Sequence, residues 1–105
     1  MKNLKALEEI TPEVIEAWKS EHKRGVWQLS VDGKVGYVRK PTRDEMKYAM
    51  TFATKNDPLG MVEEILKSCW LGGDDDLIND DDFFYGAAEQ LQTLIEIKAG
   101  ELKKL

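Results

Sequence analysis

Glu63-Glu64-Ile65-Leu66-Lys67-Ser68-Cys69-Trp70-Leu71-Gly72-Gly73-Asp74-Asp75-Asp76-Leu77-Ile78-Asn79-Asp80-Asp81-Asp82-Phe83-Phe84 decides how the C-terminal half of this chain folds. Its first part continues an amphipathic pattern, in which Leu59, Val62, Ile65, Leu66, Cys69 and Trp70 recur at helical spacing. Gly72 suits a left-handed stop for that helix. Asp57-Pro58 suits its start, with Asp as N-cap and Pro as first helical residue. The acidic run that follows is broken by Leu77 and Ile78 and closed by Phe83. Two arrangements satisfy those apolar residues. In one, Trp70, Leu71, Leu77, Ile78 and Phe83 point outward, and with Asp74, Asp75 and Asp76 they make a protein-binding patch of apolar anchors ringed by charge. In the other, they fold inward as a lid over the helices.

Beyond the run, Asp81 or Asp82 is placed to cap a last helix. Phe84, Ala87, Ala88, Leu91, Leu94, Ile95 and Lys98 mark its inner stripe, and Leu102 extends it. Gly86 and Gly100 weaken its two ends.

Upstream, Thr42-Arg43-Asp44-Glu45 is a capping box, after which Met46, Ala49, Met50 and Ala53 share one helical face, with Tyr48 and Phe52 beside it. That helix should stop near Lys55-Asn56, close enough to Asp57 for the two helices to pack as neighbours. Before it, Val26 to Arg39 alternates around Asp32-Gly33, a hairpin signal. A two-residue loop would pair Leu29 with Gly36 and Gln28 with Tyr37, which splits Trp27 and Tyr37 between the faces. A three-residue loop, Val31-Asp32-Gly33, pairs Trp27 with Tyr37 and Leu29 with Val35. It gathers the large apolar groups on one face and is the register expected here. Thr11-Pro12-Glu13 opens the first helix, with Val14, Ile15 and Trp18 as its buried stripe and Gly25 as its stop. Residues 1–10 read as a flexible arm.

The expected fold is therefore α+β: a mostly helical single domain over 11–105, in which a two-stranded antiparallel hairpin packs against about four helices. A chain of 105 residues that is 42% hydrophobic can bury one core. A single cysteine, Cys69, allows no intrachain disulfide and fits a cytoplasmic setting. No apolar run approaches the roughly 18 residues of a membrane span, so no membrane partner is expected.

Charge divides the chain. Residues 1–55 hold 11 Lys/Arg against 8 Asp/Glu, and residues 56–105 hold 4 against 12. Either solvated faces merely differ, or the molecule has a positive and a negative pole able to stack head to tail or to hold unlike partners.

No catalytic, cofactor or metal site is expected. The aspartates lack the alternating ligands, mid-loop glycine and closing glutamate of a calcium-binding loop. His22, the sole histidine, falls at a charged helix end, and Cys69 falls on a buried stripe. Gly72-Gly73 is followed by acids that would repel a phosphate. Lys19, Lys23, Arg24, Lys34, Arg39, Lys40, Arg43 and Lys47 would form one basic patch if the hairpin folds on the helices, but a net charge of −5 argues against nucleic acid as a partner.

A hairpin ending in Val38-Arg39-Lys40-Pro41, a helix pair, Cys69-Trp70-Leu71-Gly72-Gly73 followed by acids, and a closing Glu101-Leu102-Lys103-Lys104-Leu105 together resemble the small acidic tail assembly chaperones encoded by long-tailed bacteriophages and prophages. The resemblance implies a non-enzymatic protein that binds a long helical client, the tape-measure protein, and self-associates around it. It carries over no site residues. The competing expectation is a phage-encoded acidic inhibitor that occupies the nucleic-acid-binding groove of a host protein.

Overall fold

The computed structural model describes residues 5–6, 9–94 and 100–105. In chain order the elements are β1 (Lys5–Ala6), α1 (Pro12–Glu21), β2 (Val26–Val31), β3 (Lys34–Arg39), α2 (Arg43–Thr54), α3 (Pro58–Cys69), β4 (Trp70–Gly73), α4 (Asp76–Asn79) and α5 (Asp81–Leu94). The protein is α+β. Its sheet has the order β1-β4-β3-β2, with β2, β3 and β4 antiparallel and the two-residue β1 parallel to β4. Within the arm expected over 1–10, residues 1–4 and 7–8 lie outside the described residues, while Lys5–Ala6 pairs with Gly72 and Gly73. Ile95 and Lys98, expected on the last helical stripe, also lie outside the described residues.

Helix starts follow local chemistry. Thr11 accepts from Val14 N at 3.3 Å, Thr42 and Glu45 close the capping box, and Asp57 accepts from Gly60 N at 2.9 Å. Each of these bonds satisfies an amide that a helix start leaves without an intrahelical partner. The start of α5 differs from expectation. Asp80, rather than Asp81 or Asp82, is the cap, and its side chain accepts from Asp82 N at 3.0 Å and Phe83 N at 3.3 Å. Asp81 and Asp82 instead supply negative charge in the first turn.

The hairpin takes the two-residue loop. Leu29 pairs with Gly36, Gln28 with Tyr37 and Trp27 with Val38, so the expected Trp27–Tyr37 pairing does not form. Asp32 at φ 49 and Gly33 at φ 86 make the tight turn whose twist matches the strands. Tyr37 does not need the core face, because Trp18 of α1 covers it from the other side at a ring separation of 5.7 Å. Trp18 is buried, whereas Val14 and Ile15 are only partly so.

The largest departure lies at Cys69 to Gly73. Gly72 is not a left-handed cap. The chain leaves α3 through an extended Trp70 and becomes a third antiparallel strand against β3. The ladder shifts between Tyr37 and Val38, where Leu71 is the extra residue between Trp70 and Gly72. Trp70 lies over Gly36, the one place on β3 that lacks a side chain to strike it.

The core gathers Leu29 and Val38 of the sheet, Ala49, Ile65, Leu66 and Cys69 of the helix pair, Trp70, Leu77, and the stripe Phe84, Ala87, Leu91 and Leu94 of α5. Gly86 allows α5 to approach β2, since a Cβ there would stand 2.7 Å from Val31 Cγ1. Some stripe residues stay outside the core. Met50 is 54% exposed, Leu59 is 49% exposed, Ala53 is exposed, and Leu102 is fully in solvent.

Candidate functional site: two charged ends and an apolar helical hairpin

The apolar residues of the acidic segment take the inward arrangement. Trp70, Leu71 and Leu77 are buried, and Ile78 and Phe83 are partly buried against the core. Of the expected grip, Trp70, Leu71 and Leu77 are turned into the fold, while Ile78 and Phe83 keep part of their surface in solvent.

The aspartates are sorted by the same folding. Asp74 accepts from Asp76 N at 3.0 Å, while its own amide donates to Val35 O at 2.9 Å. Lys34 at the hairpin turn reaches Asp76 at 3.0 Å and Asp74 at 3.5 Å, and its ammonium stands 5.1 Å from the centre of the Phe83 ring. The hydrogen bond to Asp76, with the charges of both aspartates, holds the Lys34 pKa above its ordinary value against the cost of desolvation. Asp75, Asp81 and Asp82 remain exposed at this end.

The opposite end of the hairpin is basic. A cleft of about 350 Å³ there is lined by His22, Lys23, Arg24, Arg39, Lys40 and Thr42, together with Glu21 and Gly25. Arg24 Nη1 donates to Pro41 O at 2.8 Å, and Lys40 stands over the Trp27 ring at 5.3 Å. The basic set expected as one patch is split. Lys34 sits among acids at the far end, and Lys19 pairs with Glu16 at 3.3 Å. The hairpin, six residues per strand and so about 20 Å long, thus separates a basic end from an acidic one.

Arg39 ties the basic end to the core. Its guanidinium forks onto Glu45 at 2.8 and 2.7 Å and donates to Ser68 O at 2.8 Å. The hydrogen bond to Glu45 raises the Arg39 pKa further, so the charge is permanent at any working pH. Arg39→Ala is expected to cost about 2–3 kcal/mol in urea unfolding, because the Ser68 carbonyl loses the guanidinium donor and the Glu45 carboxylate loses its cation, keeping only the capping bond from Thr42 N. Glu45→Ala should cost a similar amount, and the double variant clearly less than the sum, since one network is broken either way.

Large apolar side chains do reach solvent elsewhere. Tyr48, Met50 and Leu59, at 57%, 54% and 49% exposure, belong to the α2–α3 hairpin, Tyr85 of α5 is 53% exposed, and Phe52 meets Tyr48 edge-on at 5.6 Å between ring centres. Helical spacing puts Met50 on one face with Met46, Ala49 and Ala53, and Leu59 in step with Val62 and Leu66, yet both are exposed, so the spacing does not tell how much of each face the core covers.

Among the described residues no group of three or more His, Cys, Asp or Glu could hold a metal ion, and no helix is long and apolar enough to cross a membrane. His22 lies 3.9 Å from Glu21, and Cys69 is a buried free thiol. No family model, curated protein or solved structure matches the chain.

Proposed function

We propose that this protein is a non-enzymatic protein-binding adaptor, of the kind that assembles phage tails, and that it grips a long helical client through the outer surface of the α2–α3 hairpin. The observation that carries this reading is the exposure of Tyr48, Met50 and Leu59 on that one hairpin. Tyrosine and methionine are the side chains that recognition surfaces favour. They offer large contact area, and methionine adapts its shape to an irregular partner. An amphipathic client helix laid along the side of α2 that carries Tyr48 and Phe52 would bury that pair, with Lys47 near the rim, whereas Met50 points to the other side of the buried Ala49.

The test is pull-down and titration with a purified coiled-coil segment of a tape-measure protein. Tyr48→Glu with Leu59→Glu is expected to weaken binding at least about ten-fold for each anchor lost, with the circular dichroism spectrum unchanged because both positions are exposed. Equal binding by parent and variant, or none by the parent, counts against the reading. A second reading has its own support in the exposed Asp75, Asp81 and Asp82, which would imitate nucleic-acid phosphates toward a basic groove. Changing these three to Asn, while leaving Asp74, Asp76 and Asp80 to their structural bonds, should abolish salt-sensitive binding to a basic nucleic-acid-binding protein if that reading holds.

A further inference from the structure

β2 is the terminal strand of the sheet. The two-residue turn makes Val31–Lys34 the first hydrogen-bonded pair of the ladder, so Leu29–Gly36 and Trp27–Val38 are the next. The amides and carbonyls of Val26, Gln28 and Ser30 are consequently aimed away from the sheet. Those of Ser30 are taken by one side chain. Gln90 of α5 accepts from Ser30 N at 3.4 Å and donates to Ser30 O at 2.7 Å, as a neighbouring strand would. The outward groups of Val26 and Gln28 have no such partner among the described residues. Among the described residues, half of this edge is plugged and the other half is unpaired beside the part-exposed Trp27.

We propose that a second copy of this chain adds its own β2 to the open half, antiparallel, about a two-fold axis at Trp27. Charge selects this occupant and this direction. β2 begins next to the basic cleft, with Lys23 and Arg24 just before it. It ends next to the acidic segment, where Lys34 holds Asp74 and Asp76 and Val31 lies under the first turns of α5. An antiparallel mate lays the basic end of each copy along the acidic end of the other, whereas a parallel mate would oppose like charges. With the axis at Trp27, the Val26 and Gln28 of one copy exchange hydrogen bonds with the Gln28 and Val26 of the other. The two Trp27 side chains meet, and Gln90 keeps its place on Ser30 and limits the pairing to this register. This surface is separate from the α2–α3 hairpin, so one copy can hold a client and a mate together.

The test is sedimentation equilibrium of the full chain from about 1 to 100 μM, the range of moderate to weak complexes. The expected result is a monomer–dimer equilibrium that shifts toward monomer as salt rises. Gln28→Pro removes only an outward amide and should weaken the dimer at least about ten-fold, whereas Gln28→Ala should leave it intact. If Gln28→Pro does not fold, Trp27→Cys supplies the readout. Facing non-hydrogen-bonded residues stand about 4.5 Å apart at Cα, within disulfide range, so mild oxidation should cross-link the copies through residue 27. A parent that stays monomeric throughout, a dimer indifferent to Gln28→Pro, or failure of Trp27→Cys to cross-link overturns the proposal. Tyr48→Glu with Leu59→Glu should leave the dimer unchanged, which separates this interface from the client surface.

Discussion

Gly73→Ala is expected to leave little folded protein, with a loss above about 4 kcal/mol from a domain whose whole stability is of order 5–15 kcal/mol. Two independent costs fall on one methyl group. Gly73 sits at φ +134, a backbone conformation that side chains with a Cβ rarely adopt. A Cβ built there would lie 2.5 Å from the Val35 carbonyl oxygen and 2.6 Å from the Gly36 Cα. Both atoms are backbone of the neighbouring strand, so no rotamer change relieves the clash. Moving β4 away from β3 would also release Asp74 from Val35 O and spoil the approach of Asp74 and Asp76 to Lys34. Gly33→Ala is the control. Gly33 also has a positive φ, +86, but nothing lies within 4 Å of its added Cβ. It should cost only the conformational term, about 1–2 kcal/mol. Urea denaturation of the two variants therefore separates close approach from backbone preference, and near-equal losses would mean that β4 does not press on β3 as described.

The contrast between those glycines shows what the chain discloses before it is folded. Thr11, Thr42 and Asp57 act within four residues of themselves, so their capping roles are legible from local order alone. The Asp32-Gly33 turn is legible for the same reason, but its register is not. Choosing the register by collecting Trp27 and Tyr37 on one face assumes a single apolar face. Trp18 supplies cover on the second face, and nothing local to the hairpin announces it. Cys69 to Gly73 is ambiguous in a different way. A glycine pair after a helix fits a left-handed stop and fits equally a strand that another backbone must approach closely. Only the presence of β3 with a bare Gly36 decides between them. Periodicity placed Met50 and Leu59 on faces with their neighbours, but it does not say how wide a strip the core will cover. The pairing of Gln90 with Ser30 has no local signal at all, because it joins residues 60 apart.

Trp70→Ala is expected to cost about 3–5 kcal/mol, and the more informative result is how that cost changes when Gly36 is replaced as well. Trp70 is 1% exposed, and truncating it leaves a cavity bounded by Gly36 and Leu77. Gly36→Ala alone overpacks the same place. Its Cβ would stand 2.4 Å from Trp70 Cη2, 2.6 Å from Cζ3 and 2.9 Å from Leu77 Cδ1, for an expected loss of about 1–3 kcal/mol. In the Trp70→Ala background the same methyl group enters vacated space. There it also gains strand propensity over glycine, so its effect should fall to zero or reverse sign. The double-mutant cycle should then show a coupling of about 1–3 kcal/mol, with the double variant no less stable than Trp70→Ala. In thermal unfolding, each 1 kcal/mol should appear as a midpoint shift of about 4–8 °C for a domain of this size. Additive losses would show that Trp70 and Gly36 do not share one contact, and with that the account of why helix α3 gives way to a strand at Trp70 would fail. A strong coupling ties three features of the acidic segment to one physical cause. The indole needs a surface without side chains, β3 offers it at Gly36, and Leu77 is drawn in to close the remaining side, which holds the aspartates at one end of the molecule.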